Sequence, residues 1–269
     1  MVVLPFGESF AAWTISTGVA AMGGLLFALF VGRYLKLNYF LAFSLGVLLW
    51  VFTDVIDEAG KIDVEASFSG GWEQVFIVVL FIAGAVSFFC ADRSTFSTSP
   101  DNPRSITIPL LLAIAVGAHG LGEGIAFGAV SATTQFVSLV IAFGGEAAGA
   151  AYVVHKFLEA MAIGSFYLVC RVSMQTPLSK HLRNLALLAI AFVLPSLVAM
   201  GVGYYVQFDA VYFYSIGTGT LLYAILRLTG PLFIDGKSLG QGYSFKTGLW
   251  LTAGFLCVYL AALLHSFVS

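Results

Sequence analysis

Residues 106–129 read ITIPLLLAIAVGAHGLGEGIAFGA, and His119 and Glu123 are the ionisable side chains in that run. Its length matches the roughly 20 apolar residues that a helix needs to cross the hydrocarbon of a bilayer. A second run, 144–170, reads GGEAAGAAYVVHKFLEAMAIGSFYLVC and sets His155 and Glu159 at the same spacing. Four residues is about one helical turn, so each His/Glu pair projects from one face of its helix. Two such faces turned toward each other would gather two imidazoles and two carboxylates at one point inside a membrane.

The rest of the chain agrees with a membrane as solvent. It is 59% hydrophobic and 10% charged, with 25 Phe residues, whereas an average soluble domain is about 25% charged. A soluble fold of this size would have too much surface for so few charges. The net charge of −2 comes with no basic run, which argues against a nucleic-acid partner. Cys90, Cys170 and Cys257 form no CxxC and lie in or beside apolar stretches. They read as packing residues, since an unpaired cysteine behaves as a small hydrophobe.

Eight spans are predicted, at about 10–31, 38–57, 73–91, 106–129, 144–170, 185–206, 211–229 and 246–267. They form an all-α polytopic bundle in a single domain, 1–269. The first apolar run has no positive charge ahead of it, so it reads as a retained span rather than a cleaved leader. With the amino terminus outside, the cytoplasmic segments hold Arg33, Lys36, Arg93, Arg104, Arg171, Lys180, Arg183, Arg227, Lys237 and Lys246, against Lys61 outside. That bias obeys the positive-inside rule, and seven spans or a reversed chain would lose it. Both termini are then outside. Asp57, Glu58, Asp63, Glu65 and Glu73 cluster at the second connection. They are either a negative rim that attracts a cation or a solvated loop. The stretch 130–143 leaves open whether the fifth span starts early or a short surface helix precedes it.

Carboxylates at mid-bilayer cost about 2.5–3.5 kcal/mol each on insertion scales, so Glu123 and Glu159 must face protein, water or an ion. His119, Glu123, His155 and Glu159 are therefore the predicted metal ligands. Imidazole with carboxylate suits Zn²⁺, Fe²⁺, Mn²⁺, Co²⁺ and Cd²⁺, with Zn²⁺ the leading candidate, and is too nitrogen-rich for a usual Mg²⁺ or Ca²⁺ cage. The ion is expected as transported substrate, with no resident cofactor. Gly117, Gly120, Gly124 and Gly128 form a small-residue stripe on the fourth span, which lets another helix come close. Beside the His/Glu faces, the stripe is read as allowing the fourth and fifth helices to pack tightly.

The tetrads resemble the central motifs of the ZIP (Zrt/Irt-like) metal transporters. His119-Gly-Leu-Gly-Glu123-Gly-Ile-Ala-Phe-Gly128 resembles that family's fourth-helix pattern, and His155-Lys-Phe-Leu-Glu159-Ala-Met-Ala-Ile-Gly164 its fifth. The run from Leu45 to Asp54, Asp57, Glu58 and Ala59 is similar to its second helix, and Gly217-Thr-Gly-Thr-Leu-Leu-Tyr223 to its seventh. The resemblance implies eight helices, both termini outside, a metal site between helices four and five, homodimers, inward transport and an elevator-like movement of helices. Compact loops and the lack of a targeting segment suggest the inner or plasma membrane.

This chain departs from the family in several places. Gly120 and Gly122 stand where Asn and Pro are frequent, and Ala160 where Gly is usual. Leu48 stands where a soft second-helix ligand can occur, and residues 92–105 lack a His cluster. Lys156 occupies a position that in many members serves a second, adjacent metal. An ammonium has no lone pair to ligate with. One metal is therefore expected, with Lys156 standing in for the second cation beside Glu123 and Glu159. Asp54 is either a polar guide near the outer half of span two or a packing acid. Glu146 is out of phase with His155, so it serves a vestibule or hydrogen-bonds a neighbouring helix. His181 is expected in a solvated cytoplasmic loop, and His265 at the interface. An intramembrane metal-dependent hydrolase is the competing class, although neither tetrad reads H-E-x-x-H. A membrane protein that binds metal without moving it is a third. The protein is read as no enzyme.

Overall fold

The computed structural model describes residues 2–60, 72–98, 106–133, 135–136, 143, 145–170, 177–233 and 244–266. Among these residues lie eight helices: α1 (Phe6–Val31), α2 (Leu37–Gly60), α3 (Trp72–Thr98), α4 (Thr107–Thr133), α5 (Glu146–Val169), α6 (Leu178–Val206), α7 (Ala210–Phe233) and α8 (Phe245–Ser266). They correspond one for one to the predicted spans. Two short strands, β1 (Val2–Val3) and β2 (Gln135–Phe136), pair antiparallel. They tie the start of the chain to the segment after α4, so those two points lie at the same end of the bundle.

Six helices are long and apolar enough to cross a bilayer: α1, α2 over Leu37–Asp57, α3 over Gln74–Arg93, α4, α6, and α7 over Ala210–Leu232. The chain is thus a multi-pass membrane protein. The fifth helix falls outside that set because Glu146, His155, Lys156 and Glu159 dilute its hydropathy. The last has a shorter apolar stretch, Phe245–Leu260.

Two boundaries differ from expectation or settle it. The sixth helix begins at Leu178, well before residue 185. Pro177 precedes it with φ −57° and ψ 144°, which suits proline just before a helix start. Lys180, His181 and Arg183 are therefore helical, and His181 is 8% exposed. Its Nδ1 bonds the Tyr167 hydroxyl at 3.2 Å, and Asn184 donates to that same oxygen at 3.0 Å. The solvated-loop reading of His181 is corrected: the helix runs on and turns this ring inward. The fifth helix starts at Glu146, after Gly145 at φ +102°, a conformation that side-chain-bearing residues rarely adopt.

The packing divides α4 from α5. The main neighbours of α4 are α6 and α7, whereas α5 lies on α1 and α2; α2 also packs on α8 and α7, and α3 on α7. Lipid offers little hydrophobic drive for helix association, so close van der Waals contact and hydrogen bonds must hold such a bundle. Both are present. A Cβ on Gly117, Gly124 or Gly128 would run into the backbone oxygen of Phe192, Ser196 or Met200 on α6. The Thr220 hydroxyl donates to Ala115 O at 2.7 Å, joining α7 to α4. Of the cysteines, Cys90 and Cys257 are exposed and Cys170 half-buried, so the packing role does not hold for the first two, whose helices turn them outward.

Candidate metal site

His119 and Glu123 leave the middle of α4, and His155 and Glu159 the middle of α5. The structure brings all four together: one ligand atom from each lies within 4.8 Å of the others. His119 and Glu159 are fully buried, while the Glu123 and His155 side chains keep 17% and 14% of their exposure. Each helical turn supplies a pair by itself, with His119 Nε2 3.6 Å from Glu123 Oε1 and His155 Nε2 against Glu159 Oε1. Across the gap, His119 Nε2 lies 3.0 Å from Glu159 Oε1. This cluster fits a membrane metal site.

The orientation of His119 is set from its own helix. Its Nδ1 faces the Val116 carbonyl oxygen. A carbonyl only accepts, so the proton sits on Nδ1. Nε2 therefore points into the cluster, 2.8 Å from Lys156 Nζ and 3.0 Å from Glu159 Oε1. A backbone partner on the far ring nitrogen is the usual arrangement for a ligating imidazole.

Lys156 is 1% exposed. Its Nζ is 2.7 Å from Glu123 Oε2 and 3.1 Å from Glu159 Oε2, bridging the two glutamates. The ammonium lies 5.7 Å from the Tyr152 ring centre and 5.8 Å from that of Phe192, within range of cation–π attraction. One positive charge against two carboxylates leaves the cluster short of counter-charge, and a buried charge without compensation is costly.

The stripe of glycines does not pack as predicted. It faces α6, not α5. The reason lies in the ligands: two imidazoles, two carboxylates and a lysine need side-chain length between the backbones of α4 and α5. Backbone contact there would leave them no room. Gly120 sits at the boundary, where a Cβ would be 3.0 Å from Ser196 Cβ and 3.6 Å from Glu123 Oε2.

Around the ligands stand residues that the sequence reading passed over. Trp50 on α2 meets His155 edge-on at 6.2 Å between ring centres. Trp13 donates from Nε1 to Ser196 Oγ at 2.7 Å and stacks on Phe127 at 4.6 Å. Tyr152 lies 4.8 Å from Trp13 and shares a 2.9 Å hydrogen bond with Thr17. Helical spacing carried part of this signal, because Tyr152 precedes Lys156 by one turn and Val116 precedes His119 by three residues. Phe192 and Trp50 come from other helices and left no local trace.

The remaining candidates lie apart. Asp54 is exposed on α2, within electrostatic reach of His155, Glu123, His119 and Glu159. Glu146 is exposed at the first residue of α5, about 13 Å along the axis from His155. Leu48 is fully buried in the core. Asp63 and Glu65 of the acidic rim lie outside the described residues, as do the side chains of Glu58, Glu73 and His265, and most of 130–143 beyond β2. No family model matches the chain, and no curated protein matches it.

Proposed function

We propose that this protein carries a divalent transition metal ion, Zn²⁺ foremost, through the bilayer at the His119, Glu123, His155 and Glu159 site. One observation carries the reading: four lone-pair side chains from two helices of a membrane bundle converge within 4.8 Å. Neutral imidazole and carboxylate are the donors that Zn²⁺ and its borderline neighbours accept. No thiol joins them, so the ion is held firmly enough to lose water yet can be given up. Asp54, exposed on α2 and within electrostatic reach of the cluster, is the polar guide for the arriving cation in this reading.

The assignment to the ZIP family belongs to the same proposal, supported by the tetrad spacing and by eight helices. So do outside termini, inward transport, a homodimer and an inner or plasma membrane location. The even helix number and the positive-inside charge pattern support the orientation. The protein acts as a carrier and not as an enzyme. Because α4 and α5 pack against different neighbours, the ion bridges two parts of the bundle. A shift of one part against the other would open the site to the opposite face.

The test is uptake of Zn²⁺, Fe²⁺, Mn²⁺, Co²⁺ and Cd²⁺ into proteoliposomes, with thermal stabilisation by each metal and its reversal by chelator. Wild-type uptake that Glu123→Ala and Glu159→Ala abolish is the expected result. Metal binding without uptake would leave a sensor or structural protein, and chelator-sensitive cleavage of lipid or peptide by the same vesicles would show a hydrolase.

A further inference from the structure

The ammonium of Lys156 and a metal ion claim the same atom. His119 turns Nδ1 to the Val116 carbonyl and Nε2 into the cluster. Lys156 Nζ lies 2.8 Å from Nε2, and a metal ligated by His119 must use that nitrogen too. Glu123 turns Oε2 to the lysine and Oε1 to His119, whereas Lys156 reaches both oxygens of Glu159, at 3.3 and 3.1 Å. An arriving metal therefore meets the lysine at His119 and at both glutamates.

We propose that Lys156 is a tethered counter-cation that changes places with the transported metal at His119 Nε2. This inference rests on the transport reading above. An arriving ion lifts the ammonium off His119. As the ion departs, the ammonium returns to His119 Nε2 and to both glutamates. No bond other than coordination and hydrogen bonds changes, and the lysine stays protonated throughout. The rings of Tyr152 and Phe192, each within 6 Å of Nζ, keep a favourable place for the cation when it is displaced.

The consequence is for turnover. After release, Glu123 and Glu159 would be two buried anions, and moving them through the bilayer without a counter-charge is costly. With Lys156 between them, the unloaded site carries one uncompensated negative charge instead of two. The carrier resets without a second substrate cation bound on the return. The lysine also weakens metal binding, through its charge and by occupying the place beside His119 Nε2, which favours release.

Lys156→Met keeps the length and removes the charge. In detergent, Cd²⁺ binding to this variant, measured by calorimetry, should be at least tenfold tighter than to wild type. In proteoliposomes, its net Cd²⁺ uptake should fall at least tenfold, while exchange of ¹⁰⁹Cd²⁺ against unlabelled Cd²⁺ inside the vesicles stays within threefold of wild type. Unchanged or weaker binding, or net uptake equal to wild type, would overturn the proposal. Wild type supplies a readout that does not depend on the variant folding. Its uptake should change less than twofold when Cd²⁺ is placed on the far side. A tenfold rise would show that the unloaded return limits transport and that Lys156 does not reset the site. Wild-type vesicles that take up no metal at all would instead remove the transport reading itself.

Discussion

The two faces of α4 are built on opposite terms. Toward α6 it presents Gly117, Gly124 and Gly128, with the backbones so close that a methyl group would strike the Phe192, Ser196 or Met200 carbonyls. Toward α5 it presents His119 and Glu123, and the helices are held apart by side chains. The first face has one good geometry, because close-packed surfaces are intolerant of small shifts. The second is joined by ion pairs through Lys156 and Glu159, which can exchange partners without emptying a packed core. A rigid seam beside a polar crossing gives the bundle a fixed part and an adjustable part.

The crossing should break first at its most connected member. Glu159 is fully buried and meets His119, His155 and Lys156. Changing even an outer partner of a metal ligand costs about 10–100-fold in affinity. Glu159→Gln, nearly isosteric, should therefore lower proteoliposome uptake by at least about 100-fold, with the helical circular-dichroism spectrum unchanged. Uptake within tenfold of wild type would remove Glu159 from the ligand set.

The seam should respond the other way, losing stability and keeping affinity. Gly128 lies beyond the ligands on α4, against Met200 O. Gly128→Val adds branched bulk where backbone cannot yield, and overpacking costs about 1–3 kcal/mol. For a chain of this size, that is a Tm fall of roughly 3–10 °C in detergent. Metal affinity per folded molecule should stay within about threefold, under 0.7 kcal/mol. A variant as stable as wild type would show that the seam is looser than its geometry.

This contrast also explains what was readable before the structure. The eight helices among the described residues and the four clustered side chains were legible because apolar length and the four-residue spacing are local signals. His181 was misplaced because an apolar-run boundary ignores polar residues that a helix start at Pro177 carries into the core. The glycine stripe was recognised, but its partner was not, since spacing along one helix says nothing about which neighbour fills the groove. Lys156 was placed beside both glutamates correctly. Its approach to His119 Nε2 depends on the Val116 carbonyl holding the other ring nitrogen, which only the fold shows.

A smaller effect should come from the hydrogen bond that anchors α1 to the seam. Trp13 Nε1 donates to Ser196 Oγ at 2.7 Å, and both residues are buried. Trp13→Phe keeps the stack on Phe127 but removes the donor. A net loss of about 0.5–1.5 kcal/mol is expected, read as a Tm lower by roughly 2–5 °C. Ser196→Ala should lose about as much, and the double variant little more, because both delete one bond.

The smallest effect, and the one that separates the two faces most finely, belongs to Gly120. Alanine there gains about 1 kcal/mol of intrinsic helix preference over glycine. Its methyl would sit 3.0 Å from Ser196 Cβ on the seam side and 3.6 Å from Glu123 Oε2 on the ligand side. The first distance is tight, so the helices must yield by a few tenths of an ångström; the second is ordinary contact. These two terms nearly cancel, so Gly120→Ala should melt within about 2 °C of wild type. Glu123 is shifted slightly with the yielding helices, while its ion pair with Lys156 and its approach to His119 are retained. Uptake should fall by about two- to fivefold, up to ~1 kcal/mol in barrier. A large loss of stability with normal uptake would mean that Gly120 belongs to the seam alone, and that the ligand face does not feel the contact behind it.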